Sequence, residues 1–224
     1  MMAGLPRHNM RISLTSFAAM ALFAAAPASA CSVVPGYRVP SNFELIQQAD
    51  LVVLARVKAG PGAEDIRAAN SWDEQQIELE PIRAIKGVLP SEVLRLEGYT
   101  GERGHSFAAH PTPLHRAHPS SFQGACVRQE YAPGALLVAT FERTDKGYRP
   151  LRSAFARVAE DVEGENGAWV RAADAYARIG ALPTGDARRT ALRAEAARLL
   201  ALRDDSAAPA IAADMLDAAG ELPD

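Results

Sequence analysis

Ala49–Val57 reads ADLVVLARV. Leu51 to Ala55 are apolar without interruption, and three valines sit within the stretch. A short β-branched run of this kind predicts a strand. The Gly/Pro cluster KAGPGAED (58–65) that follows is turn punctuation. Downstream, QIELEPIRAIKG (76–87) places Ile77 and Leu79, then Ile82 and Ile85, in a second strand. Pro81 interrupts that strand and marks a bulge or a sheet edge, since proline cannot donate to a ladder. EVLRLEG (92–98) predicts a third strand. GALLVATFERT (134–144) and YRPLRS (148–153) form a hairpin around TDKG, whose Asp and Gly suit a tight turn. Five short strands with polar turns predict a mainly β fold, a small barrel or sandwich.

Beyond residue 156 the composition shifts to Ala, Arg and Asp. GAWVRAADAYARIGAL (167–182) spaces Trp169, Ala173, Tyr176 and Ile179 near a helical period. DARRTALRAEAARLLALRDD (186–205) predicts a helix capped by Asp186, with Leu192, Leu199 and Leu200 on one face. SAAPAIAADMLDAAG (206–220) predicts a third, beginning at Ser206 and Pro209 and ending at Gly220 as the residue after the C-cap. The expected organisation is therefore a small barrel or sandwich over 49–153 and an α-helical C-terminal region over 156–224, packed on it or forming a tail.

Residues 1–30 carry Arg7 and Arg11, then the apolar run ISLTSFAAMALFAAA, then PASA. A basic start, a short apolar stretch and an Ala-x-Ala end predict a secretory signal peptide, and with it an exported protein, periplasmic or secreted. Loss of Arg7 and Arg11 with that segment moves the formal charge from −3 to −5. An acidic mature chain disfavours nucleic acid and anionic membranes as partners, and no later run is apolar enough for a transmembrane helix.

Cleavage after Ala30 makes Cys31 the first mature residue. Cys31 and Cys126 are the chain's two cysteines, and an even count in an exported chain favours one disulfide. Closing a loop of roughly a hundred residues is worth about 4 to 5 kcal/mol in the chain-entropy model. The competing reading is a lipid anchor on Cys31, as in an envelope lipoprotein, which would consume both thiol and α-amine. The position three residues before it is Ala28 rather than leucine, and ASA suits ordinary signal peptidase better.

Enzyme signatures are missing: the sequence has no G-x-S-x-G, H-E-x-x-H, C-x-x-C, P-loop or paired-glycine fingerprint. A cysteine nucleophile would need a reduced thiol, against the exported context. The expectation is a protein that is not an enzyme and carries no cofactor. HSFAAHPTPLHRAHP (105–119) gathers His105, His110, His115 and His118, a weak alternative metal cluster for zinc or copper. His110 and His118 precede prolines and are held extended, so the stretch reads foremost as a long surface loop.

A free α-amine and the carbonyl oxygen of the same residue lie a chelate ring apart, and metal binding deprotonates such an amine readily. A catalytic zinc keeps one position open for water or substrate. A leading residue held by a disulfide could enter there at little entropic cost and displace the water.

CSVVP (31–35) resembles the C-[ST]-C-x-P opening of the tissue inhibitors of metalloproteinases. The order ADLVVLARV, IELEPIRAIKG and GACVRQEYAPGALLVATFE (124–142) is similar to that family too. The likeness spans residues 31–153. It implies the five-stranded OB-fold barrel that the family shares with netrin-like modules, and inhibition of a zinc metalloprotease in trans. By that resemblance Cys31 would chelate the target's zinc through its backbone, and Ser32 would face the specificity pocket. Val33 and Val34 would continue the entering segment, which Pro35 would shape. Cys126 would be the partner of Cys31, and Gly124 and Ala125 a second contact segment. Val33 stands where the family has a second cysteine, the other family disulfides are missing, and 156–224 reads as helical instead of cysteine-rich. The alternative is a disulfide-stapled envelope binding or scaffold domain that kept the barrel without the inhibitory edge.

Overall fold

The computed structural model describes residues 33–62, 75–100 and 111–221, all within one unit, Cys31–Asp224. The strands are β1 (Leu51–Ala59), β2 (Gln76–Lys86), β3 (Arg95–Glu97), β4 (Tyr99–Thr100), β5 (Glu130–Tyr131), β6 (Leu136–Thr144), β7 (Gly147–Pro150) and β8 (Ala159–Asp161). The α-helices are α1 (Asn42–Gln48), α2 (Ala168–Gly180), α3 (Gly185–Leu200) and α4 (Ala208–Glu221). Antiparallel pairing runs β3-β2-β1-β6-β7, with β8 sharing the outer edge of β6. The sheet curls until β3 and β7 approach each other, and Arg152 is ion-paired to Glu97 across the seam. The result, among the described residues, is a nearly closed, OB-like barrel of five strands carrying four helices. All five expected strands are present, and the hairpin turns through Asp145 and Lys146.

β1 is apolar on consecutive residues because both of its faces are covered. Leu51, Val53, Ala55 and Val57 point into the barrel with Ile77, Leu96, Leu137 and Phe141. Val52 and Leu54 join Val138 in a second core built with the helices. Strands buried on both faces lose polar alternation. The helical region is therefore no free tail: Phe43, Trp169, Tyr176, Leu192, Leu199 and Met215 all belong to the core that also contains Val52 and Leu54. Phe43 meets Tyr176 edge-on, with centroids 5.6 Å apart.

Pro81 does sit beside an irregularity. Two β2 residues face one position of β1 around Ile82 and again around Ile85. Each bulge shifts the phase, so Ile82 turns outward and is exposed while Ile85 packs on the helical core. Beyond Leu79, β3 no longer pairs with β2, leaving Pro81 on a one-sided stretch.

Helix boundaries differ in detail from the expectation. α1 is an additional helix, started by a capping box in which Glu44 N–H donates to Ser41 Oγ (3.3 Å) and Ser41 N–H to Glu44 Oε2 (2.9 Å). Thr184, rather than Asp186, caps α3, and Asp186 lies in its first turn. Leu200 is exposed: eight positions past Leu192 it has drifted off the buried stripe, whereas Leu199 remains on it. Gly220 lies inside α4 rather than after it. No helix among the described residues is long and apolar enough to cross a membrane.

Candidate functional site

Three chain segments converge at one edge of the barrel. The first is the stretch that follows Cys31 and Ser32, two residues outside those described. Tyr37 N–H donates to the Val34 carbonyl at 3.0 Å. Pro35 supplies the fixed φ at the second position, and Gly36 takes φ +85° at the third, as a type II turn requires. The turn is tied down by Tyr37, whose hydroxyl donates to the Ala154 carbonyl at 2.8 Å and lies 3.2 Å from Ser153 Oγ. Val33 and Val34 remain uncovered, Val34 being 72% exposed.

The second segment runs from Phe122 to Val127. Gly124 has φ +111° and Cys126 φ +61°; the latter is a left-handed conformation that non-glycine residues adopt at a cost. Cys126 is disulfide-bonded. Its carbonyl accepts the N–H of Phe155 at 2.7 Å. Phe155, in the third segment, is itself left-handed at φ +58°. The half-buried Phe155 ring stacks against Phe122, with centroids 5.3 Å apart and planes 13° from parallel. Ala125 and Val127 line a groove with Gln129, Ser153, Arg152 and Glu97.

Buried charge holds this edge in place. Arg128, two residues after Cys126, donates from Nη2 to Asp161 Oδ2 at 2.9 Å and from Nε to the Glu130 carbonyl at 2.8 Å. Its guanidinium lies 4.4 Å from the centroid of the Tyr131 ring. Arg157 Nη1 donates to Thr112 Oγ1 (2.8 Å), to the Pro113 carbonyl (2.9 Å) and to the Arg116 carbonyl. Glu160 accepts from Thr112 Oγ1 at 2.7 Å and from His118 N–H at 2.8 Å. Burial pushes the Glu160 carboxyl above the ordinary carboxylate range, with Arg157 and Arg128 pulling the other way. Together these contacts strap residues 112–118 onto β8.

Of the four histidines proposed as a metal cluster, His105 and His110 lie outside the described residues. His115 is exposed, while His118 is buried with its Nδ1 engaged by Ser120. No group of metal-ligating side chains forms among the described residues. The C-terminal part of the expected surface loop is instead packed: Leu114, Ala117 and His118 are all buried.

Gly124, Ala125 and Pro35 were singled out by the resemblance, and Cys126 by the cysteine count. Tyr37, Phe122, Phe155 and Arg128 were not. The Pro35-Gly36 pair carries a readable turn signal. Nothing local marks Phe122 or Phe155, which meet only through folding.

The chain matches no protein-family model, no curated protein and no solved structure.

Proposed function

We propose that this protein is an exported inhibitor of zinc metalloproteases. The mature N-terminus begins at Cys31, which is cross-linked to Cys126, and lends its α-amine and carbonyl oxygen to the catalytic zinc of the target. The amine gives up its proton on binding, the zinc-bound water leaves, and no bond of the inhibitor is offered for cleavage. The observation that carries the reading is the exposed stretch Val33–Gly36. This apolar leader is clamped through the Tyr37 bond to the Ala154 carbonyl, one residue before Phe155, whose N–H holds the carbonyl of the disulfide-bonded Cys126 in its strained backbone conformation. Rigid presentation of this kind lowers the ordering cost of association.

The deciding experiment compares inhibition of a set of zinc metalloproteases by protein beginning at Cys31 and by protein with one extra N-terminal Ala. The expected result is inhibition by the first and none by the second. Equal inhibition by both refutes chelation through the terminus.

A second reading, a disulfide-stapled envelope binding or scaffold domain, is favoured by one observation. Val33, where the resembling family has a cysteine, is 39% exposed and gives the leader no second cross-link. Acylation of Cys31 would belong to that reading. An intact mass of the exported protein carrying diacylglycerol, which is thioether-linked to the cysteine sulfur, excludes the Cys31–Cys126 cross-link that the inhibitor reading needs, whereas an unmodified mass excludes the anchor.

A further inference from the structure

Asn166 is the one asparagine in the chain that is followed by glycine. It lies in the loop joining β8 to α2, where it is exposed and its side-chain amide makes no hydrogen bond among the described residues. Asn42 is the contrast: it is buried, it precedes Phe43, and its Nδ2 donates to the Leu114 carbonyl (2.9 Å) and to Asp214 Oδ1 (2.8 Å). Asn166 is the third residue of a turn closed by the Gly167 N–H on the Gly164 carbonyl at 3.0 Å. Gly167 is also the N-cap of α2, to which it gives no side-chain cap, and the first turn of that helix holds no acid. Its carbonyl accepts the Arg171 N–H at 3.1 Å. A Cβ at position 167 would lie 3.2 Å from the Gly164 carbonyl oxygen, so this turn leaves little room for a side chain there.

We propose that Asn166-Gly167 is a site of spontaneous deamidation. The Gly167 nitrogen, with no side chain beside it to block approach, loses its proton to solvent base and attacks the side-chain carbonyl carbon of Asn166. The bond from that carbon to the amide nitrogen breaks, ammonia leaves, and a cyclic imide joins the two residues. Water then opens the imide at either carbonyl. One product is aspartate; the other is isoaspartate, with the main chain running through the side-chain carboxyl. Water is the only co-reactant. Because the turn engages the attacking nitrogen, the reaction proceeds through local opening of this exposed loop. The two products act differently on the helix. Aspartate sets a carboxylate just before the positive end of α2. Isoaspartate inserts a methylene into the main chain between Gly164 and Gly167, breaks their bond and loosens the first turn of a helix whose Trp169 and Val170 are core residues.

The test incubates the mature protein in mildly alkaline buffer, with and without guanidinium chloride, and maps tryptic peptides by mass spectrometry against a sample taken at time zero. Cleavage after Arg157 and Arg171 releases residues 158–171, in which Asn166 is the one side-chain amide. In native protein this peptide should gain the mass of an amide-to-acid exchange, more slowly than in denaturant, and electron-transfer fragmentation should resolve aspartate from isoaspartate. The peptide containing Asn42 should stay unchanged in native protein. Asn166→Gln, whose longer side chain closes the ring poorly, should keep its mass and the wild-type unfolding curve. Amide hydrogen exchange at Arg171 should be faster in the isoaspartyl fraction than in fresh protein. If residues 158–171 gain mass in denaturant but not in the native protein, the site is overturned. If they gain mass natively while exchange at Arg171 is unchanged, the site stands and the loosening of α2 is overturned.

Discussion

Replacing Arg128 with Met tests whether buried charge holds the candidate edge to the barrel. The aliphatic stem is retained, so the loss falls on the guanidinium. Its side chain and that of Asp161 are 1% and 2% exposed, with Nη2 and Oδ2 2.9 Å apart. Removing one member of such a pair costs about 3 to 5 kcal/mol, because the other charge keeps its desolvation penalty. The Nε bond to the Glu130 carbonyl and the stacking over Tyr131 disappear as well, but these terms are not additive with the first. A net loss of about 4 kcal/mol is expected, a large share of the roughly 5 to 15 kcal/mol that holds an ordinary domain. For a domain of this size that corresponds to a fall in Tm of about 8 to 16 °C. Urea unfolding followed by circular dichroism, under conditions that keep the disulfide oxidised, measures it. The double variant Arg128→Met/Asp161→Leu should recover most of the loss, since no carboxylate is then stranded. A loss below about 1 kcal/mol for the single variant, or no recovery in the double, refutes the assignment of this edge's anchorage to the ion pair.

Two further outcomes follow from the same core. Burial raises the Asp214 carboxyl above the ordinary carboxylate range, against the bonds it receives from Tyr176 and Asn42. The folded state therefore holds this proton more tightly than the unfolded chain. Its contribution to stability is complete below about pH 4 and is lost as pH rises through the higher folded value. The stability of wild type relative to Asp214→Asn should fall between about pH 4 and pH 7, measured by denaturant unfolding at stepped pH; a rise over that window contradicts the linkage. Gly98 has φ +143°, and a Cβ placed there would lie 2.2 Å from the Gln129 carbonyl oxygen. Gly98→Ala should cost at least about 2 kcal/mol by pushing Gln129, and with it the strand pair β4–β5, away from β3; an unchanged unfolding midpoint would show that the backbone yields freely.

Much of the barrel was legible from local pattern because each main strand is a continuous apolar or alternating run bounded by turn residues, as in 51–57 and 136–141. The same held for the helical stripe through Trp169, Ala173, Tyr176 and Ile179, all buried as the period required. The helix beginning at Ser41 was readable in principle, since Ser41 and Glu44 spell a capping box. Its seven residues are too few for a hydrophobic period to stand out. Short strands β4, β5 and β8 leave no period at all, because two or three residues cannot display one.

What the chain determined by itself is therefore the cysteine count and the alternation of the main strands and helices, which depends on neighbours a few positions apart. Tertiary structure alone decided that Arg128, Arg157, Glu160 and Asp161 are interior, although charged residues ordinarily stay in water. It also decided that Phe122 meets Phe155 and that Tyr37 meets Ala154. Burial of a charge is worthwhile only where distant segments bring its counter-ion and hydrogen-bond partners within about 3 Å. That condition belongs to the fold as a whole and leaves no mark in a short window of sequence.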